Sequence, residues 1–151
     1  GELENSALFE SYLTLLFNNL IRFIGADFTP MTPIICEEFA PQFGITQQIN
    51  GEHNIVTGLD MSCDMAIEFA SRYAMDTFHE FDEYVQASLE DFLNLHNGLF
   101  TVNMSNNCSM EMQLSPPEMH DEDLISLRQD AVSYLFPVLY PFGTIYFLLS
   151  V

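Results

Sequence analysis

Three pairs of short apolar runs, each joined by turn-forming residues, constrain the fold more than any other feature of this sequence. Turns rich in Asn, Gly and Pro between such runs favour β-hairpins, and a hairpin joins two neighbouring antiparallel strands. The sequence therefore predicts an antiparallel sheet built from hairpins. The three pairs are residues 43–49 and 54–60 around Asn50-Gly51, 99–105 and 109–114 around Asn106-Asn107, and 131–139 and 144–151 around Pro141-Phe142-Gly143.

Three segments without Pro or Gly have the spacing of apolar residues that is typical of helices, namely residues 7–24, 63–75 and 82–96. Gly25 ends the first segment and Asn97-Gly98 follows the third, and both are common helix stops. Residues 119–130 are acidic and polar, which predicts a loop, either irregular throughout or with one short helix. The order helix, hairpin, two helices, hairpin, loop, hairpin predicts an α+β fold with long helices packed on one face of the sheet. The helix-then-hairpin order recurs in the middle and C-terminal halves, which indicates an internal duplication.

Length and composition predict one folded domain over residues 1–151. A chain of 151 residues that is 48% hydrophobic and contains 14 Phe has enough apolar side chains for one core, and it is short for two domains. The first residue is Gly1 and not Met, so we expect that this domain was cut from a longer protein. The chain has three cysteines and no C-x-x-C pair, and it opens without a signal-peptide pattern, which favours the reducing cytoplasm.

The charge of the chain restricts its partners. There are 22 acidic residues against three Arg and no Lys, a formal net charge of −19. Such a chain is repelled by phosphate backbones and by anionic membrane surfaces, so we expect it to bind neither nucleic acid nor membranes. A solvated acidic surface that keeps the protein soluble is one interpretation, and attraction to a basic patch on a partner protein is another.

The third helical segment combines an apolar face with an acidic and amide face. At about 100° per residue, Asn94 lies nearly opposite Val85, with Glu90 and Asp91 on either side of Asn94. Taken alone, the pattern acid-x-x-Asn is typical of any solvated helix face, because chance predicts about 1.5 occurrences in this composition and the chain has two. The apolar arc consists of Val85, Leu89, Phe92, Leu93, Leu95 and His96.

Residues 91–98, Asp-Phe-Leu-Asn-Leu-His-Asn-Gly, resemble the CheC/CheX-type chemotaxis phosphatase family, which carries Glu-x-x-Asn followed by Gly on a long helix. The layout is similar to that family from residue 7 to residue 151, including the segments 42–45 and 56–59, the stop at Pro116-Pro117 and Gly143. The first helix has Asn18 and Asn19 without an acid three residues earlier. The likeness is therefore to single-site, CheX-like domains.

The resemblance implies a phosphatase that accelerates hydrolysis of the aspartyl phosphate of a CheY-like response regulator. Asn94 would position the attacking water, and Asp91 would pair with the lysine of the regulator. The chain would need no cofactor of its own, because Mg²⁺ belongs to the active site of the partner. CheX-type relatives also pair through sheet edges. The resemblance therefore implies a homodimer, for which the apolar last strand, residues 144–151, would offer the edge.

The sequence departs from the family pattern at one position. Asp91 stands where the family usually has Glu, so its carboxylate reaches about one C–C bond less far, and misplacement by about 1 Å can cost about a hundredfold in rate. Three interpretations follow. Asp91 suffices, Glu90 replaces it from the other side of Asn94, or the domain is a non-catalytic binding or dimerisation module of the same fold.

Overall fold

The computed structural model describes residues 2–151, with side chains from residue 5 onward, and this part of the chain forms three helices and ten strands. The order along the chain confirms the predicted α+β class. The helices are α1 (Glu2–Phe23), α2 (Cys63–Ala74) and α3 (Glu83–Cys108). The strands are β1 (Thr29–Pro30), β2 (Ile34–Cys36), β3 (Glu38–Phe39), β4 (Phe43–Gly51), β5 (Ile55–Asp60), β6 (Met112–Leu114), β7 (Glu118–Asp121), β8 (Ile125–Ser126), β9 (Ser133–Tyr140) and β10 (Gly143–Ser150).

Eight strands form one antiparallel sheet in the order β1-β9-β10-β5-β4-β6, in which β2 also pairs with β9 and β7 with β4. The hairpins β4–β5 and β9–β10 form its centre, where Leu59 of β5 lies opposite Phe147 of β10. Strands β3 and β8 pair separately as a two-stranded sheet. The first and last predicted hairpins are therefore confirmed.

The sheet has an approximate internal two-fold arrangement about the β5–β10 pair. On one side, β4 pairs with the short strands β6 and β7, and on the other side β9 pairs with the short strands β1 and β2. Each half consists of a long helix, short strands and a hairpin, and α2 follows the first half. The duplication indicated by the sequence is present in this form, but its halves begin at α1 and α3.

The last strand is not an edge strand. β10 pairs with β9 along its whole length, and its residues 146–150 also pair with β5 on the other side, so it lies inside the sheet. The expectation that residues 144–151 offer a free edge to a second copy is wrong. It failed because an apolar terminal strand is as typical of the sheet centre as of an edge.

Aromatic and aliphatic side chains join the helices to the sheet in one core. Every fourth residue of α1 is buried over Leu8, Tyr12, Leu16 and Leu20, which is the spacing of one helix face. The Tyr12 ring packs edge-on against Phe100 of α3, with ring centres 5.0 Å apart. Phe69 of α2 packs in the same way on Phe92 of α3, with ring centres 5.1 Å apart. These contacts hold α3 between the other two helices. Among residues 2–151, no helix has both the length and the apolar character needed to cross a bilayer.

The third helix ends twelve residues later than predicted, at Cys108, and it contains the segment 99–105 that was predicted to be a strand. Asn97 and Gly98 do not end it, because the Asn97 side chain is buried and hydrogen-bonded inside the protein. Phe100 and Met104 continue the buried face of the helix. The left-handed cap residue is Ser109, with φ of 54°. The predicted hairpin at Asn106-Asn107 is therefore wrong, and of its second strand only β6 remains.

The acidic segment that was predicted to be a loop also contains strands. β7 and β8 lie within or next to residues 119–130. β7 pairs with β4, where Met119 lies opposite Ile45. Short strands of this kind have no clear alternation in sequence, because their pairing partner determines them.

Replacing Gly98 by Ala should stabilise the protein by about 0.5–1 kcal/mol, because Gly in the middle of a helix costs about that much relative to Ala. A Cβ at this position meets only the Leu114 Cδ1 atom, at 4.0 Å. Gly58→Ala is the control, since its Cβ would lie 3.1 Å from the Ile45 carbonyl oxygen, and we expect it to destabilise. Urea unfolding measures both free energies, and a less stable Gly98→Ala protein would contradict the prediction.

Candidate functional site

The acidic and amide face of α3 is held on a well-anchored helix. The Asp82 side chain caps its N-terminus by accepting hydrogen bonds from the Tyr84 and Val85 backbone N–H groups at 3.0 and 3.1 Å. We call Glu90, Asp91 and Asn94 the polar ridge. Asp91 and Asn94 are exposed and Glu90 is half-buried. The three predicted site residues therefore share one surface, with Asn94 about one helical turn beyond the two acids.

The Asn94 amide contacts a buried glutamine of the sheet. Gln47 of β4 is only 1% exposed. Its Nε2 atom donates to Asn94 Oδ1 at 2.8 Å and to the Ser115 backbone carbonyl oxygen at 2.9 Å. Among the described residues, Asn94 Nδ2 has no hydrogen-bond partner and faces solvent.

The other end of Gln47 joins a buried set of polar groups. Its Oε1 accepts from Asn97 Nδ2 at 2.9 Å, and the same Nδ2 donates to Thr57 Oγ1 at 2.8 Å. The Thr57 hydroxyl donates to the Gln47 backbone carbonyl at 2.8 Å, and the Tyr12 hydroxyl donates to Asn97 Oδ1 at 2.6 Å. Burial raises the pKa of Tyr12, so this phenol stays protonated as a donor. We call Tyr12, Gln47, Thr57 and Asn97 the buried polar chain.

Each acid of the polar ridge has its own neighbour. The Tyr73 hydroxyl of α2 donates to Asp91 Oδ2 at 2.5 Å. Burial, and then this bond to the carboxylate, raises the pKa of Tyr73. Glu90 Oε1 accepts from Gln86 Nε2 at 3.1 Å, one turn earlier on α3. Asp91 is thus restrained through one oxygen, and its other oxygen is available.

The sequence interpretation missed the residues that hold the polar ridge. Gln47 occupies an inward position of β4 between Ile45 and Ile49, which are both fully buried. A polar residue at an alternating apolar position was the available signal for it. Asn97 likewise follows Leu93 by four residues on the buried face of α3. Tyr73 had no such signal, because its partner lies on another helix.

On the first helix, Asn19 is not a counterpart of the exposed Asn94. Asn19 is 4% exposed, and its Nδ2 lies 2.9 Å from His96 Nδ1. Since the amide donates there, the imidazole proton is on Nε2, a buried atom without a hydrogen-bond partner in the described structure. Burial lowers the pKa of His96 to about 3. In residues 5–151, no group of three or more His, Cys, Asp or Glu side chains is arranged to hold a metal ion.

The neutral His96 predicts a specific pH dependence of stability. Its pKa is lower in the folded state than the usual value of about 6.5, so the unfolded chain binds an extra proton below that pH. Stability is then lost as pH falls from 6.5 towards 3, by about 1.4 kcal/mol per pH unit, or about 2 kcal/mol between pH 7 and pH 5. The measurement is the difference in unfolding free energy between the wild type and His96→Gln, which keeps an acceptor for Asn19 and does not titrate.

The exposed His79 provides the matched control for this experiment. His79→Gln removes an exposed imidazole and serves as the reference over the same pH range. A difference between the wild type and His96→Gln that does not change with pH would show that His96 is not held neutral by burial.

Comparisons with known proteins locate this fold among chemotaxis proteins. No protein-family model matches the chain, and neither does any curated protein sequence. Solved structures do match over nearly the whole chain. A CheC-like superfamily protein from Shewanella sp. PV-4 is 14% identical, with 95% of this chain and 96% of that chain covered and a TM-score of 0.79.

Two further structures extend the comparison. The chemotaxis protein CheX from Desulfovibrio desulfuricans is 16% identical over 95% of this chain and 97% of that chain, with a TM-score of 0.79. A chain of the CheX–CheY–BeF₃–Mg²⁺ complex from Borrelia burgdorferi is 15% identical over 94% of this chain and 96% of that chain, with a TM-score of 0.76. The chain therefore has the CheC/CheX-like fold that the sequence predicted.

Proposed function

We propose that this protein is a phosphatase that accelerates hydrolysis of the aspartyl phosphate of a CheY-like response regulator. The observation that carries the proposal is the exposed Asn94 amide, which stands one helical turn after Asp91 on a helix anchored in the core. The CheC/CheX-like fold supports it, and so does the Borrelia burgdorferi neighbour, a complex of CheX with CheY. The partner would be the phosphorylated regulator, and both proteins would be in the cytoplasm.

Asn94 would act by positioning water. A carboxamide is no strong base, but it can donate and accept hydrogen bonds at once, so it can hold a water in line with the phosphorus atom. The water oxygen bonds to phosphorus as the bond from phosphorus to the aspartyl oxygen breaks, and the proton of the water passes to a phosphate oxygen. Holding the water in place removes an orientational part of the barrier. The Mg²⁺ of the regulator would stabilise charge on the phosphoryl oxygens, and this chain would need no cofactor of its own.

Asp91 would pair with the lysine of the regulator. Its Oδ2 atom already accepts the Tyr73 hydroxyl, which leaves Oδ1 free for the ammonium group. A carboxylate held in one orientation loses less side-chain freedom when the partner docks. Glu90 is the alternative acid, although it is half-buried and bonded to Gln86. The net charge of −19 favours approach of a basic surface on the regulator.

The test of the Asn94 role is phosphate release from CheY-like regulators that have been phosphorylated with acetyl phosphate. The wild-type domain should shorten the lifetime of the aspartyl phosphate, and Asn94→Ala should reduce that acceleration by about a hundredfold, because misplacement of a reacting group costs about that much. Asn106→Ala is the matched control, since Asn106 is exposed on the same helix about three turns away. Equal rates for the wild type and Asn94→Ala would contradict the proposed role.

The proposed pairing of Asp91 with the lysine of the regulator is tested by two substitutions at position 91. Asp91→Asn removes the charge and should raise the KM for the phosphorylated regulator, since the bond to its lysine is charge-assisted. Asp91→Glu restores the length usual in the family and should keep or raise the acceleration. If Glu90→Gln is the more damaging change, Glu90 and not Asp91 is the pairing acid.

A non-catalytic binding or dimerisation module is the second candidate function. The observation that favours it is Asp91 itself, which is shorter than the usual Glu and is bonded to Tyr73 within the chain. This alternative predicts measurable affinity for the regulator, or self-association, without faster phosphate release. Titration calorimetry with the regulator and sedimentation of the domain alone distinguish these modes from catalysis.

A further inference from the structure

We propose that Gln47 is a positioning residue, which fixes the orientation of the Asn94 carboxamide so that Nδ2 faces a docked partner. The assignment of a role in hydrolysis rests on the proposed function, whereas the orientation itself does not. Gln47 touches no partner atom, because it is 1% exposed. It acts through Asn94, whose Oδ1 it contacts at 2.8 Å.

The direction of the Gln47 amide is determined by its neighbours. A backbone carbonyl can only accept, so the atom 2.9 Å from the Ser115 carbonyl oxygen must be the Nε2 donor. The opposite atom is then Oε1, which accepts from Asn97. Reversing the Gln47 amide would place its Oε1 against the Ser115 carbonyl oxygen. It would also place its Nε2 against Asn97 Nδ2, which is itself a donor. Gln47 is therefore locked in one orientation.

The orientation of Asn97 agrees with this assignment independently. The Thr57 hydroxyl proton is used on the Gln47 carbonyl oxygen, so Thr57 Oγ1 can only accept from the Asn97 amide. Its partner must be Asn97 Nδ2, at 2.8 Å. That Nδ2 then also faces Gln47 Oε1. Both ends of Gln47 are thus fixed by groups whose roles as donor or acceptor are unambiguous.

The fixed orientation of Gln47 determines the orientation of the Asn94 amide at the surface. Because Gln47 presents an N–H group, the atom of Asn94 that meets it must be Oδ1, and Nδ2 faces outward. One lone pair of Oδ1 is used, and the other can still accept from a water. Asn94 thus offers two N–H donors and one acceptor in a fixed arrangement before any partner arrives. A preorganised group of this kind loses little orientational freedom on docking.

The main test replaces the donor of Gln47 without changing its length. Gln47→Met should leave Asn94 without its internal bond, and nuclear magnetic resonance of the Asn94 side-chain NH₂ group should then report lower order. In phosphate release from the phosphorylated regulator, kcat should fall by about tenfold or more while KM changes by less than about twofold, because positioning acts in the transition state. Gln48→Met is the matched control on the exposed side of the same strand, and it should change neither readout.

Thr57→Val distinguishes an effect of lost stability from an effect on the orientation of Asn94. This change removes buried bonds to Asn97 and to the Gln47 carbonyl but keeps the Gln47–Asn94 bond. It should lower stability and leave Asn94 ordered and kcat unchanged. If Thr57→Val lowers kcat as much as Gln47→Met does, Gln47 has only a structural role and the proposal is overturned.

Gln47→Glu is the second variant, in case Gln47→Met does not fold. Only an ionised Glu lacks a donor, so the comparison is made at a pH high enough to ionise this buried carboxyl group. Asn94 should then turn its Nδ2 inward, and its NH₂ protons should exchange with solvent more slowly. An Asn94 amide that is unaffected in both Gln47 variants would overturn the proposal. If Asn94 responds as expected but the wild-type domain accelerates no hydrolysis, the orientation by Gln47 stands and the phosphatase function fails.

Discussion

The contact of buried Gln47 with the Ser115 carbonyl and with Asn94 is the interaction on which the candidate site depends. A buried polar group without a partner costs about 1–3 kcal/mol, so the buried polar chain is satisfied only when α3 lies on the sheet in one register and rotation. In that arrangement Tyr12, Thr57 and Asn97 are all bonded. The same arrangement turns the polar ridge outward. The fold thus determines both the place of Asn94 and the direction of its amide.

The two sides of the polar ridge are supported by different elements. Asn94 is held from the sheet by Gln47, and Asp91 is held from α2 by Tyr73. Since α3 packs between α1 and α2, both supports are fixed by the same core that contains Phe69, Phe92 and Phe100. A site of this kind is rigid before any partner arrives. Under the proposed function, these two side chains would enter the active site of the regulator, and the net charge of −19 would favour a basic surface there.

The residues explain which parts of the fold could be predicted. Glu90, Asp91 and Asn94 were placed together because the first half of α3 has a strong helical period. Asn97-Gly98 predicted a helix end that does not exist, because the local preference of these residues is outweighed by the buried bonds of Asn97. Gln47 and Tyr73 are 47 and 18 residues away from their partners, and no local pattern specifies such a contact. Strand β10 was expected at a sheet edge but lies between β9 and β5, because strand order is also a long-range property.

A crystal structure of this domain bound to a CheY-like regulator whose aspartate carries a beryllofluoride group would test the central claim most directly. The account predicts that Asn94 enters the regulator's active site with its amide within about 3.2 Å of the water in line with that group. It also predicts that Gln47 still donates to Asn94 Oδ1 in the complex. A complex in which Asn94 remains in solvent, or in which another surface of the domain covers the regulator, would contradict it.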